Sequence, residues 1–264
     1  MLRKLLKHEF RATGRIMGPL YLVLLVLSLA ANGSVRILAS TNAQVLNILS
    51  GLVMVLFGIC IVTVFVMTLV VMINRFRTNL LGDEGYVMLT LPASVHQQVW
   101  SKLIVSVVWT AASAAAVCLA AMIAAFRVRY VAQIVDLVRQ MMAQLTRYYA
   151  VNGLAVVLEG LALMLLSCAV GCLMFYAAMA VGHSFANHKS LLSVAFFFLF
   201  FIVLQFLSLT SAFNFDGFPF NAFRFDGMAA VHAFFWVSIV ATVLVGAVFY
   251  VITTQMLKRR LNLE

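Results

Sequence analysis

The chain alternates between long apolar runs and short polar connections, and the lengths of the runs define its elements. A bilayer core of about 30 Å is crossed by roughly 20 apolar residues in helical form. Six runs read as such spans, at about residues 17–32, 45–73, 103–126, 153–182, 191–209 and 230–256. The second, Val45 to Ile73, reaches about 43 Å in helical form, so it must tilt or project beyond the hydrocarbon. On the third, Ala112, Ala116, Ala120 and Ala124 recur every fourth residue, a ridge of small side chains that lets another helix approach closely. Just before it, Ser94 with Gln97 three positions on is a capping-box signature that starts the helix ahead of the apolar run.

Two polar stretches keep helical periodicity without being able to span. Residues 1–16 place Leu2, Leu5, Leu6 and Phe10 on one face, while Arg3, Lys4, Lys7, His8, Arg11 and Arg15 fill the other. This is a basic amphipathic helix suited to lying on a leaflet, with Gly14 and Gly18-Pro19 allowing a bend before the first span. Its length and amphipathicity argue against a cleaved signal peptide. From Arg127 to Tyr149, Val131, Ile134, Val138, Met141, Met142 and Leu145 trace one face, and Arg129, Gln133, Asp136, Gln140, Gln144 and Arg147 the other. That pattern predicts a surface helix.

Composition agrees with the runs. Of 264 residues, 65% are hydrophobic and 10% charged, and mean hydropathy is +1.09, where soluble domains are about a quarter charged. The expectation is an all-α integral membrane protein, a single transmembrane domain over residues 1–264. The net charge of +10 reads as topology rather than nucleic-acid binding. Twelve Lys and Arg fall in the connections assigned to one side, against Arg36, Arg127, Arg129, Arg139, Arg147 and Arg224 on the other. By the positive-inside rule both termini are expected in the cytoplasm. Cys60, Cys118, Cys168 and Cys172 all lie in apolar runs, which argues against a disulfide framework.

Little in the chain suggests catalysis. It contains no GxxxxGK[ST] phosphate loop, no HExxH and no GxSxG elbow, so it is not expected to act as an enzyme or to hold a cofactor or metal. Glu159 is the one acid within an apolar run and a candidate for the transport path, or else an anchor at the outer interface. Cys168 and Cys172 share a helix face but show no third metal ligand. The run Phe196 to Phe201 and the Phe-rich stretch 210–229, with Phe215-Asp216-Gly217 repeated as Phe225-Asp226-Gly227, read as lipid or helix contacts and as turns.

The connection between the second and third spans is the longest on the inner side. Its residues Leu81-Gly82-Asp83-Glu84-Gly85-Tyr86 and Thr90-Leu91-Pro92 resemble, together with Leu5-Leu6-Lys7-His8-Glu9-Phe10 and Gly182-His183-Ser184-Phe185-Ala186-Asn187-His188-Lys189, the type-2 permease subunits of ATP-binding-cassette (ABC) exporters. The resemblance implies a multi-pass protein of a bacterial plasma membrane, in which Arg3, Lys4, Lys7, Phe10 and Arg11 belong to an interfacial elbow. It implies that Gly82, Asp83, Glu84, Gly85 and Tyr86 dock on a separate ABC ATPase subunit, which holds the ATP and magnesium. His183, His188 and Lys189 would form a secondary docking surface, and a second permease copy or a related permease would complete the path. Two other classes fit the same spans, a structural or sensory membrane protein and an ion-coupled carrier.

Overall fold

The computed structural model describes residues 2–40, 43–81, 94–126, 133, 135–141, 143–144, 153–185, 188–213 and 228–259. Side-chain surroundings are described for all of these except 2, 39–40, 207–213, 228–230 and 259. The described residues form six long helices and no strand. These are α1 Leu2–Ser40, α2 Gln44–Phe76, α3 Val95–Ala124, α4 Gly153–Gly182, α5 Lys189–Phe213 and α6 Met228–Arg259. A π-helical turn, Arg77–Leu81, follows α2. All six helices are long and apolar enough to cross a membrane.

The first helix differs from its expectation. In place of an elbow over 1–16, a bend and a span ending at residue 32, α1 runs through Pro19 for 39 residues. Pro19 removes one backbone donor, but no other backbone group gains a better partner by leaving the helix in an apolar setting, so the helix continues. The amphipathic pattern persists along it, with Arg3, Lys4, Lys7 and Arg11 exposed and Phe10 half-buried beside Trp109. Residues 133, 135–141 and 143–144 are helical and exposed at every described side chain.

The chain divides into two compact units, residues 1–74 with 104–139, and residues 75–103 with 140–264. In the first, Leu24 and Ala31 of α1, Phe57, Cys60 and Val64 of α2, and Ala120 and Ala124 of α3 form the core, with Ala116 packed against it. The alanine ridge is thus a packing seam. Because lipid is as apolar as these side chains, close fit and hydrogen bonds hold such helices together more than burial does.

Side-chain hydrogen bonds join the helices of this unit at several points. Thr68 donates to the Val64 carbonyl at 2.7 Å, which orients Ser113 Oγ to donate to Thr68 and Tyr21 Oη to donate to Ser113, each at 2.7 Å. Trp109 Nε1 donates to Thr13 Oγ1 at 2.7 Å, and Thr13 in turn donates to the Glu9 carbonyl at 2.8 Å. Separately, Asn32 Nδ2 donates to the carbonyls of Ile123, Ala124 and Phe126 at 2.9, 3.2 and 3.1 Å. It therefore brings a donor from a neighbouring helix to the carbonyls at the end of α3, of which that of Ile123 also accepts from the Phe126 N–H.

In the second unit α4 packs against α5 and α6. The phenylalanine run contributes Phe197, stacked on Phe175 at 4.4 Å between centroids, and Phe200, which meets Phe249. Phe198 and Phe201 face outward. At Gly246 a β-carbon would stand 3.0 Å from Val170, so this glycine lets α6 come close to α4. The described cysteines are all free.

Candidate functional site

The docking residues expected from the sequence, Gly82, Asp83, Glu84, Gly85 and Tyr86, lie outside the described residues. The same is true of the two Asp-Gly repeats. Both flanks of the 82–93 connection are described, and they belong to the second unit. On the entry side, Phe76 is fully buried and stacks on Tyr176 of α4, with centroids 4.1 Å apart and planes 7° from parallel. The π-helical turn then buries Asn79, Leu80 and Leu81. On the exit side, Ser94 Oγ accepts from the Gln97 N–H at 3.3 Å, the N-cap expected from the sequence.

Lys102 joins the two flanks. Its side chain is buried, and Nζ donates to the Arg75 carbonyl at 3.3 Å, close to the end of α2 where open carbonyls favour a cation. Tyr176 Oη donates to the Lys102 carbonyl at 3.5 Å. One tyrosine of α4 thus contacts Phe76 at the end of α2 through its ring and Lys102 of α3 through its hydroxyl. Periodicity alone gave no signal for this, since Phe76, Lys102 and Tyr176 are distant in sequence.

The segment after α4 contributes the second group. His183, expected as a surface docking residue, is instead buried, with Nδ1 2.9 Å from the Met179 carbonyl and 3.3 Å from Ser193 Oγ. Ser193 donates to the Lys189 carbonyl, so its oxygen is free to accept from Nδ1–H. Burial holds the His183 pKa below its usual value of 6.5, partly offset by the Met179 bond and reinforced by the charges of Arg77 and Lys189. The influence of Arg77 brings the π-helical turn and this segment into one electrostatic neighbourhood. His188 is exposed with a positive φ of 55°, and its carbonyl accepts from Leu192 to begin α5. Lys189 is half-buried.

Glu159 lies about two turns into α4, and its carboxylate meets His232 of α6. The histidine Nδ1 stands 2.9 and 2.8 Å from the two oxygens, so one N–H is shared between them. The side chains are 15% and 25% exposed. Sequence reading found the acid but not its partner, although His232 was visible as a polar residue in an apolar run of its own. Among the described residues no group of three side chains is placed to hold a metal, and Cys168 and Cys172 gain no third ligand there. No protein-family profile, curated protein or solved structure matches this chain.

Proposed function

We propose that the chain is the membrane-spanning permease subunit of an ATP-driven exporter of the ABC type, in a bacterial plasma membrane, with ATP and magnesium held by a separate ATPase subunit. The observation that carries this reading is the contact of Tyr176 of α4 with both Phe76 and Lys102, which lie on the helices leading into and out of the 82–93 connection. A partner that displaces the connection acts directly on a spanning helix. The length of the lever agrees, because the helical stretch Gln44–Leu81 has 38 residues, about 55 Å, well beyond a hydrocarbon core of about 30 Å. Coupling of this kind requires nucleotide to favour one conformation of the complex over the other.

In this reading both termini face the cytoplasm, Arg3, Lys4, Lys7, Phe10 and Arg11 rest at the inner interface, and a second permease copy or a related permease completes the path. The exposed His188, rather than His183, presents the secondary surface to the ATPase. The test is to tag the chain, extract it in mild detergent and identify stoichiometric partners by mass spectrometry. A co-purifying protein with a phosphate loop, in equal amount, supports the reading, and its absence across several detergents defeats it.

One observation favours a second reading, an ion-coupled carrier. Ionisable residues within spans mark ion pathways in such proteins, and the Glu159–His232 contact joins two of them. Glu159→Gln separates the two readings in transport assays on vesicles. Transport by a permease follows ATP and not a proton gradient whether or not the variant slows it, whereas a carrier loses the dependence of uptake on a proton gradient.

A further inference from the structure

A cluster on the second unit is used by neither reading. His96, one residue into α3, stands between two side chains of α6: Nδ1 is 2.6 Å from Tyr250 Oη, and Nε2 is 2.8 Å from Lys258 Nζ. An ammonium can only donate, so Nε2 accepts and the ring hydrogen sits on Nδ1, directed at the phenol oxygen. The ring is therefore uncharged, and it orients Lys258 without neutralising it. A cation held in place by a neutral acceptor keeps its remaining donors and its full charge for an outside anion. Lys258 and His96 are both exposed.

The surroundings indicate which anion. Trp100 is 47% exposed, and its ring lies 5.9 Å from that of Tyr250, an aromatic pair of the kind found at headgroup level. On α6, Leu244, Val248, Val251, Gln255 and Lys258 recur at i, i+4, i+7, i+11 and i+14, which is one helix face. The three apolar residues are exposed, at 62%, 57% and 51%, and Gln255 is exposed as well. This face runs from acyl-chain chemistry through a polar step to a cation. Side chains on a helix lean towards its N-terminus, so Lys258 points back along the face towards the apolar stretch. Free phosphate would use the cation alone, whereas a phospholipid uses the whole face.

We propose that His96, Trp100, Tyr250 and Lys258 form a binding site for the headgroup of an anionic phospholipid whose chain lies along Leu244, Val248 and Val251. The site goes beyond the permease reading and holds for any protein with these helices in a membrane.

The test uses the full chain in neutral detergent with phosphatidylglycerol and phosphatidylcholine in equal amounts, and native mass spectrometry to count the retained lipids. Phosphatidylglycerol is expected in about fivefold excess, the preference one cation confers near an anionic headgroup. Lys258→Gln and His96→Gln bring the ratio towards one, and Lys258→Arg keeps it. Three results overturn the proposal: equal retention of both lipids by the unmodified chain, an unchanged ratio in both Gln variants, or loss of phosphatidylglycerol on adding inorganic phosphate. The two Gln variants sit on different helices, so a folding failure in one leaves the other to decide.

Discussion

Gly182 ends α4 directly against the start of α5, and a β-carbon there would stand 2.5 Å from the Ser193 backbone nitrogen and 2.6 Å from its α-carbon. Backbone cannot move aside as a flexible side-chain tip can. Gly182→Ala is therefore expected to destabilise the protein by about 1–3 kcal/mol, whereas Gly171→Ala, with open space around the new carbon, should not. Thermal unfolding of the two variants in detergent checks this. The next residue adds a pH dependence. Because His183 is held neutral below its usual 6.5, its contribution to stability is complete above that value and is lost as pH falls through the lower folded pKa. Unfolding midpoints measured from about pH 8 to pH 5 should fall on the acid side, and His183→Gln should flatten that fall.

Asn32 shows how one helix completes another. Its amide reaches three carbonyls at the end of α3, and replacing it leaves acceptors that lipid cannot satisfy. Asn32→Leu is expected to cost about 1–3 kcal/mol, and hydrogen exchange should show faster opening of the last turn of α3. The cap at the other end of that helix was legible from Ser94 and Gln97, because a cap is a local pattern. The six apolar runs and the alanine ridge were legible for the same reason, since periodicity reports which face meets apolar neighbours. The continuity of α1 was not, because Gly18-Pro19 reads as a break on local preference while the apolar surroundings favour an unbroken ladder. The partners Asn32, Tyr176 and His232 were not legible either, since a polar side chain in a span does not encode which distant residue it meets.

For the whole molecule, the sharpest test concerns Asp83 and Glu84, the acidic pair in the connection whose flanks rest on α4. If a basic surface of an ATPase docks there, Asp83→Lys with Glu84→Lys should abolish co-purification of that partner while leaving thermal unfolding of the chain unchanged. Retained association would remove the docking assignment. The way Phe76 and Lys102 meet on Tyr176 was not legible in the sequence, because three residues on separate helices leave no local pattern. The division into two units has a consequence for synthesis. Each unit is assembled from two separate stretches of chain, and Phe76 and Lys102 await Tyr176, the latter 74 residues further on. A nascent chain that has reached Arg139 has every residue of the first unit, whereas Phe76 and Lys102 still lack their contact on α4. The stacking of Phe76 and the hydroxyl bond at Lys102 form only after α4 has been translated, which places the closing of the second unit late in synthesis.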